Sequence, residues 1–124
     1  MLTTKTFIEV PFSFYARHYW VNAPDQVSFL RHEHPHDFEC TVWIEVKHDD
    51  RELEFYIVKE QLLEDVKLLN KFIEDNKRMC SCEHIADFIY GNLTVDYGTS
   101  RDYKIRVSED GKYAAVKEYT VQSK

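Results

Sequence analysis

The sequence predicts an α+β fold: a four-stranded antiparallel sheet with two helices on one face. Three observations lead there. Apolar and polar residues alternate along residues 4–19, again from about residue 36, and again from residue 103, which is the period of half-buried strands. Between these strand pairs the apolar spacing lengthens to three and four residues, which is the period of amphipathic helices. The chain has 124 residues, 44% of them hydrophobic, with 3 Gly and 3 Pro. That is enough apolar side chain for one core and too little Gly and Pro for a low-complexity chain, so residues 1–124 are expected to form one domain.

The first strand is predicted over residues 4–19. Thr6, Ile8, Val10, Phe12, Phe14, Ala16 and His18 share one face; Phe7, Glu9, Pro11, Ser13, Tyr15, Arg17 and Tyr19 share the other. Pro11 cannot donate to a ladder, so it belongs at an edge or a bulge. Residues 21–31 read as a loop, opened by the Asn-Ala-Pro-Asp-Gln cluster at 22–26. The second strand starts near His36, with Phe38, Cys40, Val42, Ile44 and Val46 on one face and Glu39, Thr41, Trp43 and Glu45 on the other. Residues 47–51 form a polar turn.

From about Phe55 the stripe Phe55, Val58, Leu62, Val66, Leu69 and Ile73 predicts a helix, ended by the polar run at 75–78. Ser81 is a suitable N-cap for a second helix, and Glu83 complements its dipole. Ile85, Phe88, Ile89 and Leu93 form its buried stripe, with Gly91 and Asn92 weakening its end. Tyr103, Ile105 and Val107 then alternate, residues 109–112 make a hairpin turn, and residues 113–121 return as a last strand. The order is β-β-α-α-β-β. Two helices leave the far sheet face bare, and that face carries Phe7, Tyr15, Tyr19 and Trp43. Aromatics on an open sheet face predict coverage by further subunits.

Sixteen basic against twenty-two acidic residues give a net charge of −6. This excludes a general nucleic-acid binder, which needs a basic face to replace counterions, but it leaves room for a small anionic ligand held by local cations. No apolar run approaches the roughly 20 residues of a membrane helix, and the opening MLTTKTFIEV lacks the apolar stretch of a signal peptide. The expected compartment is the cytoplasm, without membrane or nucleic-acid partners. Cys40, Cys80 and Cys82 are odd in number and read as reduced thiols.

Six histidines occupy positions 18, 32, 34, 36, 48 and 84. His18 ends the first strand, and His32, His34 and His36 lead into the second, so an antiparallel pairing makes them neighbours. Residues two apart on a strand point the same way. Three imidazoles on one face with a fourth position open are the geometry of a zinc site that accepts water or a substrate. The same spacing suits a His-rich surface loop, and parity alone does not choose between His32–His34 and His34–His36.

The motifs resemble the 6-pyruvoyl tetrahydropterin synthase family, which includes the 6-carboxytetrahydropterin synthases of queuosine biosynthesis. The family's Phe-x-Ala-Ala-His strand end is matched by Phe14-Tyr-Ala-Arg-His18, and its His-Gly-His-Asn-Tyr motif by His34-Pro-His-Asp-Phe38. Its Thr-Ser-Glu-Asn-Leu-Ala helix start is matched by Ser81-Cys-Glu-His-Ile-Ala86, and its Val-x-Glu-Thr strand end by Val107-Ser-Glu-Asp110. The resemblance implies a T-fold, in which three subunits close a barrel and two trimers usually stack into a hexamer. It implies zinc held by His18, His34 and His36, and a pterin such as dihydroneopterin triphosphate anchored by Glu109. Cys82 and Glu83 fall in the matched helix start and are expected beside that ligand.

Departures from the family pattern concern proton transfer. The family's cysteine, four residues before the first His of His-x-His, is matched by Leu30; its Asp-His pair falls on Asn70 and Lys71. Leucine transfers no proton, asparagine does not orient a base as a carboxylate does, and lysine at its usual pKa accepts no proton at neutral pH. His32, Glu33 and Cys82 are the nearby candidates to replace them. Two functions remain open: a divergent lyase of pterin metabolism, or an oligomer that holds a pterin or purine-like ligand without turnover. A structural paralogue with vestigial histidines is a third.

Overall fold

The computed structural model describes residues 1–122. Strand β1 spans Thr6–His18 and β2 His34–Val46, joined by a connection that contains a 3-10 helix over Asp25–Arg31. Helices α1 (Phe55–Asp75) and α2 (Cys82–Tyr97) follow, and then strands β3 (Tyr103–Glu109) and β4 (Tyr113–Tyr119). The four strands form one antiparallel sheet in the order β1-β2-β3-β4. Helix α1 lies against β1, and α2 against β3 and β4.

Alternation along β1 is as the sequence predicts. Val10, Phe12, Phe14 and His18 are buried, while Pro11, Ser13, Tyr15 and Arg17 are exposed. Pro11 is tolerated because β1 is an edge strand. Register follows from the two apolar faces, since a slip of one residue would expose both of them. Phe14 pairs with Phe38, and their rings stack at 5.1 Å. The same register sets His18 opposite His34 and Ala16 opposite His36. Phe38 in turn pairs with Glu109 on β3, which places the end of β3 beside the histidines.

The helix layer closes the core. Val58, Leu62, Leu69 and Ile73 of α1 and Ile85, Ala86, Ile89 and Leu93 of α2 are buried against Val42, Ile44, Ile105 and Val107 of the sheet. Each large aliphatic side chain so buried is worth about 1.5–3 kcal/mol. Glu54 caps α1 by accepting from the Ile57 amide at 3.0 Å. Lys77 and Arg78 both take left-handed φ, 56° and 64°, and so end it. In α2 the Ser81 hydroxyl accepts from the His84 amide at 3.1 Å, and the His84 ring accepts from the Ser81 amide at 3.2 Å, a reciprocal cap.

Several expectations need correction. Residues 25–31 form a 3-10 helix rather than an open loop; none of its residues is buried, so it leaves no apolar period to read. Strand β2 begins at His34, not His36, because His34 pairs with His18. Phe55 is 58% exposed, since the first turn of α1 overhangs the core. Asp65 instead occupies a buried position on that helix: its Oδ1 accepts from the Gln61 side-chain Nε2 at 3.1 Å, and its Oδ2 has no partner among the described residues. Helix α2 runs past Gly91 and Asn92 to Tyr97, with Leu93 fully buried. Strand β4 ends at Tyr119 rather than Val121. On the bare sheet face Phe7 and Tyr15 are exposed and Trp43 is half-buried, its indole donating to Glu9 at 2.9 Å with the Lys104 ammonium over the ring. No helix among the described residues is long and apolar enough to cross a membrane.

Candidate metal centre and ligand cavity

His18, His34 and His36 come together at the open end of the β1–β2 pair. One ring nitrogen from each lies within 4.8 Å of the others, and the three ring centroids are 4.6–5.1 Å apart. His18 is buried and packs edge-on to Phe38, and His36 is partly covered. Each ring is oriented through Nδ1. His18 donates to the Cys80 carbonyl at 2.9 Å, His34 to the His32 carbonyl at 2.8 Å, and His36 to the Asp110 carboxylate at 2.7 Å. A proton fixed on Nδ1 leaves each Nε2 as a lone pair.

Two of those lone pairs have no donor among the described residues. The Nε2 atoms of His18 and His36 are buried without a hydrogen-bond partner, and the Glu109 carboxylate faces them at 3.1 and 3.7 Å. The first distance suits an ion pair, but burial foremost holds the His18 imidazole below its usual pKa, with His34 and His36 adding to the effect against the Cys80 carbonyl and Glu109. A neutral imidazole lone pair facing a carboxylate is favourable only with a cation or a shared proton between them. The residues therefore fit zinc on their own chemistry: three imidazole donors, each oriented by a second group, with room for a further ligand.

Beside the histidines opens a cavity of about 870 Å³. His18, Leu30, His34, Cys82, Glu83 and Glu109 line it. Residues 113–117 of β4 form a further wall. Cys82 begins α2, yet burial pushes its thiol up to about 12, with Glu109 and Glu83 adding to the shift; it stands in the cavity as a neutral thiol.

The remaining sequence candidates lie elsewhere. His32 is exposed and meets the centre through its carbonyl. Glu33 is held by Arg78 at 2.6 Å and Arg17 at 3.3 Å, away from the cavity wall. Asn70 and Lys71 are on the exposed side of α1, where Lys71 donates to Asp75 at 2.7 Å. Of the three positions matched to the family's proton-transfer groups, Leu30 is the one that lines the cavity. Sequence reasoning missed Asp110, whose bond to His36 joins positions 74 apart. An Asp before Gly111 reads as turn chemistry, and only the strand register reveals its second contact.

A four-stranded antiparallel sheet backed by two helices in β-β-α-α-β-β order, with a histidine triad at one end, is the subunit of a T-fold protein. The model of the 6-pyruvoyl tetrahydropterin synthase family matches residues 7–119, and the chain belongs to that family. No individual curated protein matches the chain.

Proposed function

We propose that this chain is a zinc protein of the pterin synthase family that holds a pterin such as dihydroneopterin triphosphate, and that it turns this ligand over slowly or not at all. The observation that carries the reading is the set of three ring nitrogens, one each from His18, His34 and His36, within 4.8 Å of one another beside a cavity that Glu109 also lines. Zinc bound there by His18, His34 and His36 would polarise hydroxyl and carbonyl oxygens of a ligand side chain. Glu109 would accept two N–H bonds from the guanidine-like edge of a pterin ring, and Cys82 and Glu83 would border it. Leu30 presents hydrocarbon where the family carries a thiol, and Asn70 and Lys71 face away from the cavity, which favours binding over 6-pyruvoyl- or 6-carboxytetrahydropterin synthesis. The proposal includes a single domain, a cytoplasmic location, and a homo-oligomer, trimer or hexamer, that covers the aromatic sheet face.

The test uses protein purified without an affinity tag, loaded with zinc and titrated with the triphosphate while product is followed by absorbance and mass. We expect one zinc per chain, saturable binding, and turnover well below about 1 s⁻¹, the lower end of ordinary enzyme rates. Glu109→Gln should weaken pterin binding by about two orders of magnitude, because two charge-assisted hydrogen bonds are worth about 3 kcal/mol or more, and should leave zinc content unchanged. Turnover at 1 s⁻¹ or above would overturn the binding reading and direct mutation to His32, Glu33 and Cys82. Absence of any pterin binding would leave the structural paralogue.

A further inference from the structure

We propose that Asp110 is a positioning residue of the metal centre: its carboxylate fixes the tautomer and ring orientation of His36 and supplies the negative charge that strengthens His36 as a ligand. The inference rests on the zinc reading above and adds a residue to it.

Three hydrogen bonds tie the β3–β4 turn to β2 at this point. Asp110 Oδ2 accepts from His36 Nδ1 at 2.7 Å, Oδ1 accepts from the Asp37 amide at 2.9 Å, and the Asp110 amide donates to the Asp37 carbonyl at 2.8 Å. Both carboxylate oxygens are engaged, so the side chain is held in one orientation. The backbone at Asp110 is left-handed, with φ of 57°, a conformation that Asp and Asn adopt more readily than other side chains. The turn thus delivers a carboxylate to His36 at little conformational cost.

Asp110 differs in kind from the groups behind the other two rings. His18 and His34 donate to backbone carbonyls, of Cys80 and His32, which orient a ring but carry no net charge. Asp110 orients its ring and is anionic. A carboxylate behind a ligating imidazole raises the basicity of the far nitrogen and holds it on the metal axis. It also matters to the charge of the centre, since three neutral imidazoles leave the two positive charges of a divalent ion uncompensated. Among the described residues, Glu109 on the Nε2 side and Asp110 on the Nδ1 side are the carboxylates that reach His36.

The experiment compares wild type, Asp110→Asn and Asp110→Ala. Zinc affinity is read by competition with a chromogenic chelator, and the His36 tautomer by ¹⁵N shifts of the imidazole in metal-free protein. Asparagine accepts the left-handed backbone and keeps one oxygen where the carboxylate offers two, so this variant folds while losing the charge and one of the two accepted bonds. We expect a loss of about 10- to 100-fold in zinc affinity for Asp110→Ala, the range typical of removing an outer partner, and a smaller loss for Asp110→Asn. The metal-free spectrum should show His36 protonated on Nδ1 in wild type and a mixture of tautomers in Asp110→Ala. A residue that merely shapes the turn would change thermal stability and leave tautomer and affinity alone. Wild-type affinity in Asp110→Asn overturns the proposal, as does a wild-type His36 protonated on Nε2. If wild type binds no zinc, the metal reading falls with it, and the metal-free spectrum separates the two failures.

Discussion

Truncating His34 tests the metal centre with the least disturbance to the fold. His34 is the first residue of β2, and its ring hydrogen-bonds the His32 carbonyl at the surface. Losing one such bond costs about 1 kcal/mol of stability. His18 is a poorer choice, since it is buried and packs on Phe38. Zinc sites in small peptides gain about 10–16 kcal/mol from four ligands, or roughly 3 kcal/mol each, so His34→Ala should lower zinc affinity by about two orders of magnitude. Chelator competition on tag-free protein gives the affinity, and melting of the metal-free form checks that the fold survives. Wild-type affinity in a folded His34→Ala variant would refute the triad and pass the third position to His32 or Glu109.

Other tests follow from burial. Burial raises the Asp65 carboxyl above its usual 3.8, with Asp96 and Glu64 opposing ionisation and Gln61 favouring it. The native state therefore holds this proton more tightly than the unfolded state, and the associated stability is present below pH 3.8 and is lost as pH rises through the native value. Asp65→Asn should be more stable than wild type at pH 7, with the difference shrinking in denaturant melts toward pH 4; a variant less stable than wild type at pH 7 would refute this. Burial also pushes the thiols of Cys40 and Cys82 up to about 12 and that of Cys80 to about 11. All three should resist alkylation in native protein at pH 8 and label fully in denaturant, and rapid native labelling of Cys82 would restore it as a reactive group.

The strands and the clustering of histidines at one end of the β1–β2 pair were legible in the sequence because strand parity is a strict two-residue period. Phe14 and Phe38 set the pairing, and the His18–His34 match comes with it. What escaped had no period. The 3-10 helix over Asp25–Arg31 buries nothing, so its side chains carry no pattern. Asp65 is a polar residue on the buried side of α1, and a polar residue there reads as solvent-facing from sequence. Asp110 is a local turn residue whose second role exists only once β3 is paired with β2. Family likeness, rather than parity, selected His36 over His32, and the geometry now gives the physical reason: His32 meets the centre with its carbonyl and is exposed.

Strand β4 forms one edge of the sheet, and its residues 113–117 are also a wall of the cavity. Under the proposed function, the two facts together would make ligand binding and chain association a linked equilibrium. An edge strand keeps a row of amides and carbonyls free for another strand, and a strand added there would lie against the ligand's own compartment. Whatever free energy an incoming chain gains or loses from an occupied cavity, the ligand gains or loses equally from the assembled edge. Affinity measured at nanomolar protein and at micromolar protein would then differ by the same factor as the association constant measured with and without ligand.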